Sequence, residues 1–241
     1  MASADWTEVT GSLSSGSIVR GVTAGLTPPN GGGSFVYGGA SLDPTAGGVA
    51  LYANASGFAP VITFGGSVRG AVQRKGGGGN QGFSPFLYLC LQSLSFTAQC
   101  YMLGLSDADP HRIVLVKAPA SVGMGGGIPA AAVASPPVQG VLAASTRTFS
   151  IGTWLHLRLD AVVNADGDTV LNCYQNDLLA NTVGSPVWAA IPGIPQFIDD
   201  VLQVNTGSAP LAGGYMGFGM VKSLGSRVAL FDELEIIRQT S

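Results

Sequence analysis

Between Thr153 and Val163 the chain places Leu155, Leu157 and Leu159 at every second position, with Trp154, His156, Arg158 and Asp160 filling the gaps. A period of two belongs to an extended strand with one face on a core, because successive side chains leave the backbone on opposite sides. The residues that follow, Asn164-Ala-Asp-Gly-Asp168, carry turn chemistry. Asp-Gly tolerates positive φ, and flanking Asx side chains bond their own backbone. Thr169 to Gln175 then runs back as the partner strand, so this region is expected to be a hairpin.

The rest of the chain has the same character. Gly214 to Val221 reads as a Gly-rich strand, in which missing side chains let another backbone approach. After a Gly225-Ser226 turn, Val228 to Arg238 forms another strand, with Val228, Leu230, Leu234 and Ile236 in phase. Asp232 interrupts that face, so a bulge or a sheet edge is expected there. Shorter β-type runs are Ser34 to Tyr37, Gly48 to Ala53, Val61 to Phe64 and Gly66 to Arg74. Phe86 to Leu91, Ser95 to Leu103 and Arg112 to Val116 follow. No capped stretch has apolar residues at helical spacing, and only Pro195 to Val204 could hold one helical turn, around Asp199-Asp200. The fold class expected is therefore all-β: two packed antiparallel sheets, with Leu155, Leu157, Leu159, Leu171, Cys173, Phe218, Leu230 and Ile236 in the core.

Two segments are read as loops, 75–82 with its four consecutive glycines and the Gly/Ala/Pro-rich 118–140. The second could separate two domains, but each half alone would leave sheet edges unpaired. One sandwich domain spanning 1–241 is expected, since all-β sandwiches of this length are common.

Composition bounds the partners. Charged residues make up only 10% of the chain, against about 25% in an ordinary soluble domain. Gly accounts for 36 of 241 residues and the mean hydropathy is +0.36. A surface so poor in charge is expected to be covered by neighbours, as in a permanent assembly. The segment 118–140 is the expected contact surface, and a closed homo-oligomer, first of all a trimer, the expected state. A net charge of -3 argues against nucleic-acid binding. No apolar run reaches the roughly 18 residues of a membrane span, and the N-terminus lacks the regions of a secretory signal. Cys90, Cys100 and Cys173 are expected to be reduced and buried, with a Cys90–Cys100 bridge left open should those strands face each other.

Candidate chemistry is sparse. Asn164, Asp166 and Asp168 could offer oxygens to calcium, but the EF-hand order fails and a hairpin turn explains the same residues. Asp199 and Asp200, adjacent on a strand, would point to opposite faces. His156 reads as a cross-strand packing residue and His111 as a loop residue, and no GxSxG elbow marks a nucleophile. The only glutamates, Glu8, Glu233 and Glu235, do not make a glycosidase pair. Gly76 to Gly79 after Arg74-Lys75 lacks the downstream Lys-Ser/Thr of a phosphate loop. Asn54-Ala-Ser56 matches a glycosylation sequon, which means nothing without a signal peptide. Trp188 and Tyr174 could make a sugar-stacking platform, although aromatic residues in a sandwich more often belong to the core. No catalytic, cofactor-binding or metal-ligating residue is assigned.

From Gly152 onward the order of features resembles the concanavalin A-like, laminin-G-like jelly roll. The resemblance rests on the Trp-led strand Gly152-Thr-Trp-Leu-His-Leu-Arg-Leu159 and the strand Leu171-Asn-Cys-Tyr-Gln-Asn-Asp177. Gly214-Tyr-Met-Gly-Phe-Gly219 and Ala229-Leu-Phe-Asp-Glu-Leu-Glu-Ile236 complete it. It covers about the last 90 residues and implies a two-sheet antiparallel jelly-roll sandwich; it says little of function, because this fold hosts lectins, glycosidases and structural modules. The family's paired glycosidase acids and lectin metal site are not matched. Gly65-Gly-Ser-Val-Arg-Gly-Ala-Val-Gln-Arg74 and Tyr101-Met-Leu-Gly-Leu-Ser-Asp107 look similar to tailed-phage virion proteins. The expectation is a non-enzymatic structural protein of a phage virion, a capsid decoration or tail component made in the host cytoplasm. Its partners would be itself and other virion proteins, with no cofactor, nucleic acid or membrane. The alternative is a carbohydrate-binding, lectin-like module.

Overall fold

A computed structural model of the chain describes residues 6–9, 18–20, 37–40, 48–54, 65–75, 83–95, 97–106, 110–119, 130–137, 140–176, 186–202, 206–222 and 228–239. The strands are, in order, β1 (Trp6–Val9), β2 (Ile18–Arg20), β3 (Tyr37–Ala40), β4 (Gly48–Asn54), β5 (Gly65–Lys75), β6 (Phe83–Leu91), β7 (Gln99–Ser106) and β8 (Arg112–Pro119). A single turn of helix, α1 (Ala130–Ala134), precedes β9 (Val141–Thr148), β10 (Trp154–Val163) and β11 (Thr169–Asn176). The last are β12 (Trp188–Ala190), β13 (Phe197–Asp199), β14 (Tyr215–Lys222) and β15 (Val228–Gln239). They form two antiparallel sheets. One is seven-stranded, in the order β1-β4-β14-β6-β7-β8-β9; the other is eight-stranded, in the order β12-β11-β10-β5-β15-β3-β2 with β13 also on β11.

The sheets differ in what their faces meet, and the sequence shows why. Strands β6, β7 and β8 are nearly continuous apolar runs, the pattern of a strand buried on both faces. Leu87, Leu89, Tyr101, Leu103, Ile113 and Leu115 point between the sheets. On the reverse face Phe86, Tyr88, Met102, Val114 and Val116 form a second apolar cluster with Ala132 and Val133 of α1. Strand β10 alternates because only one of its faces meets the inter-sheet core. Leu155, Leu157 and Leu159 pack there with Leu171, Cys173, Phe218 and Phe231, and Ile236 packs half-buried against them. The Leu230 side chain lies outside the described residues.

The irregularity at Asp232 is a bulge inside the sheet, not an edge, since β15 runs between β5 and β3. Asp232 pairs with Ala71 but Glu235 pairs with Arg69, so one extra residue is inserted, and Glu233 takes a positive φ of 49°. The insertion reverses the strand's phase. Phe231 faces the core before it, and Leu234 and Ile236 after it. Gly70 makes the room: a Cβ there would lie 2.6 Å from the Leu234 Cδ2.

Several expectations are corrected. Segment 118–140 is not a plain loop. Ala118 and Pro119 end β8, residues 130–134 are helical, and Ala118, Ala132 and Val133 pack on the chain's own sheet. These three, expected among the residues that meet a partner copy, cover this sheet instead. Asp199 lies in strand β13 rather than a helical turn, because residues 197–199 pair with Leu171, Val170 and Thr169. Ser95, Thr97 and Ala98 lie in a turn where a strand was expected, and β7 starts at Gln99. Strand β3 covers 37–40, and residues 34–36 of the expected run 34–37 lie outside the described residues. The expected run 61–64 and the loop residues 76–82 lie outside the described residues.

Candidate functional site

The face of the eight-stranded sheet turned away from the core is the place where polar side chains gather. Register sets its rungs. One rung runs Tyr174, Arg158, Arg69, Glu235 across β11, β10, β5 and β15. The rung beside it runs Asn172, Asp160, Ser67, Ile237, and the rung on the other side Trp188, Asn176, His156, Ala71, Asp232.

Two guanidinium–carboxylate clamps fix the centre. Arg158 donates from Nε to Asp160 Oδ1 and from Nη2 to Asp160 Oδ2, each at 2.7 Å. Spacing of two on a strand puts both residues on one face. Arg69 donates from Nε to Glu235 Oε2 at 2.7 Å and from Nη2 to the same oxygen. Arg158 and Arg69 sit directly opposite each other, an arrangement that repels unless each charge has its own counter-ion. The Asp160 hydrogen bond is the main cause holding the Arg158 guanidinium above its ordinary pKa. The Arg158 Cζ lies 5.5 Å from the centre of the Tyr174 ring. The clamps reach solvent, with side-chain exposures of 27% for Arg69 and 47% for Glu235.

Three further polar atoms on this face are buried without a hydrogen-bond partner among the described residues: Ser67 Oγ, His156 Nε2 and Asp232 Oδ2. Burial, reinforced by the Arg69 charge, pushes the His156 imidazole down to about 4. Burial pushes the Asp232 carboxyl up to about 6. The imidazole is 3.4 Å from Asn176 Nδ2 through Nδ1, and 4.6 Å from the Trp188 ring centre. His156 thus packs across strands, as its sequence position implied. Trp188 and Tyr174, read from sequence as a stacking pair or as core, share this outer face. They are diagonal neighbours, since Tyr174 pairs with Ala190 and Asn176 with Trp188, and such positions are about 7–8 Å apart.

The other candidates are placed elsewhere. Asn164 Oδ1 accepts from the backbone N–H groups of Asp166 and Asp168, and Asp168 Oδ1 accepts from Val201 N–H, so the turn consumes these oxygens itself. Asp199 and Asp200 do diverge. Asp199 is fully buried between the sheets, 2.6 Å from Lys117 Nζ, and accepts from the Tyr101 and Thr206 hydroxyls. Lys117 also donates to Ser208 O and Ala209 O, and Tyr101 Oη accepts from Leu211 N–H, which ties the 206–211 segment down. His111 contributes its carbonyl to Phe149 N–H. Cys90 and Cys100 belong to the clusters on opposite faces of the seven-stranded sheet, and all three thiols are free and buried. Burial pushes the Cys90 thiol up to about 12 and raises the other two. Glycines 76–79 and the sequon residues Ala55 and Ser56 lie outside the described residues. Among the described residues no three His, Cys, Asp or Glu side chains converge to hold an ion.

Sequence reasoning missed the clamps. The Arg158-x-Asp160 spacing was the available signal; the Arg69–Glu235 pair depends on β5 meeting β15 and leaves none.

No family model matches the sequence, and no curated protein does. Solved structures do resemble the fold. The exoplasmic/lumenal domain of VIP36, in a form bound to Ca2+ and Man3GlcNAc, is 11% identical with a TM-score of 0.53, over 100% of this chain and 86% of that one. The metal-free carbohydrate recognition domain of Emp46p is 10% identical with a TM-score of 0.50, over 97% of this chain and 88% of that one. The fold is therefore the two-sheet, concanavalin A-like jelly roll, shared with these two domains. Nothing in these likenesses points to a virion, and that expectation keeps only its support from composition.

Proposed function

We propose that this chain is a non-enzymatic glycan-binding module and that the outer face of the eight-stranded sheet is its binding surface. One observation carries the reading: a single rung holds Tyr174 and two clamped arginines, all partly exposed. Such a rung presents a ring surface for apolar sugar faces and fixed N–H donors and carboxylate oxygens for hydroxyl groups. The fold likeness agrees with it, since carbohydrate recognition domains share this architecture.

A glycan array probed with the wild type and with Tyr174→Ala tests the proposal. Selective signals should be obtained with the wild type and fall by about 10-fold or more when the ring is removed, a stacked contact being worth roughly 0.5–1.5 kcal/mol beyond its area burial. An unchanged far-UV spectrum would show that the variant still folds. If the wild type binds no glycan, the structural role expected from the low charge takes precedence.

A further inference from the structure

The rung at Arg158 and Arg69 also restricts which glycans the face can hold. We infer, resting on the glycan-binding reading, that the ligand is a neutral glycan held by the paired guanidinium groups with no bridging cation. Three observations lead there.

The first is charge. The two clamps bring together two guanidinium groups and two carboxylates, which cancel. A sulfate or uronate would bring its own negative charge beside carboxylates that already balance both arginines. A hydroxyl need not, because it can accept from a remaining guanidinium N–H while donating to the carboxylate beside it. Each clamp engages two of the five N–H groups that a guanidinium carries.

The second is the state of the carboxylates. A hard cation such as calcium takes about six to eight oxygen ligands. Both oxygens of Asp160 accept from Arg158, and Glu235 meets Arg69 through Oε2. The positive charge these carboxylates need is supplied by planar groups, fixed on the same strand for Asp160 and on the neighbouring strand for Glu235. Arginine, not a metal, orients the donors here.

The third is Ser67. It lies directly across from Asp160, is 6% exposed, and its Oγ has no hydrogen-bond partner among the described residues. Across from Asp160 the face thus carries a small neutral residue instead of a further cation. It gives a sulfate no counter-charge.

The test is calorimetric titration of the whole chain with neutral, sulfated and uronate-containing oligosaccharides, each in excess EDTA and again in excess calcium. Neutral sugars should bind equally in both, and the acidic ones more weakly or not at all. Arg158→Met should lower affinity by about 10-fold or more, and Arg158→Lys should not restore it, because an ammonium cannot reproduce the planar fork. Circular dichroism checks that each variant folds; should the Arg158 variants fail to fold, Arg69→Met on the more exposed clamp gives the same readout. Binding that requires calcium would overturn the inference, as would preference for acidic glycans or full affinity in the arginine variants. In those cases the glycan-binding reading itself survives. If no oligosaccharide of any class binds in either condition, that reading falls, and the inference with it.

Discussion

Asp232 and His156 stand on either side of Ala71 in one rung, both almost wholly buried, and burial drives their ionisation in opposite directions. Asp232 titrates at about 6 in the folded chain, above the ordinary 3.8. The folded state therefore takes this proton more readily than the unfolded one. The resulting stabilisation is complete below about pH 4 and is lost as pH rises through 6. His156 titrates at about 4 instead of 6.5. Its contribution is complete above pH 6.5 and is lost as pH falls through 4. Between those values the two oppose each other. Asp232→Asn isolates one of them, and its amide oxygen can still accept from Glu233 N–H as Asp232 Oδ1 does. The variant should unfold at higher urea than the wild type near neutral pH and lose that advantage near pH 4. Urea titrations across this range check the sign, and a difference that does not change with pH would show that this carboxyl is not shifted.

Among the elements, β13 depends most on a partner far away in the chain. Its Asp199 would be an uncompensated charge between the sheets without Lys117 of β8, whose side chain is 5% exposed. Removing one member of such a buried pair costs about 3–5 kcal/mol. Lys117→Met should therefore lower stability by that amount and free the 206–211 segment, measurable as a lower urea midpoint and faster amide exchange at Leu211. A midpoint equal to that of the wild type would show that the pair adds nothing. The same dependence explains what could be read from sequence. The hairpin β10–β11, with its Asn164 turn and leucine row, is specified locally by period and turn chemistry. The bulge at Asp232 was legible too, as a charge interrupting an apolar phase. Strand β13 was not, because its strand character comes from pairing with β11 and its acid is neutralised from the other sheet. Strand β9 was missed because Ala143, Ala144 and Ser145 are too small to mark an alternation. Of the candidate site, Tyr174 and Trp188 could be singled out as aromatics, whereas the Arg69–Glu235 clamp exists only once β5 lies against β15.

At the scale of the molecule, both sheets are completed by strands from the same late stretch of chain. Strand β14 lies between β4 and β6, and β15 between β5 and β3. Without them each sheet splits into two ribbons with open edges, and unpaired edges invite association. A fragment of residues 1–210 should therefore show no cooperative thermal transition and should aggregate, whereas the full chain melts in one step. A fragment that melts cooperatively as a monomer would contradict the topology. The order of the strands also has a meaning in time. As the chain leaves the ribosome, four strand edges wait for partners that have not yet been made, and neither sheet can close until the segment 215–239 emerges. Folding of this protein thus waits for residues 215–239, and the interval before they emerge is when the nascent chain most needs a chaperone to keep those edges apart.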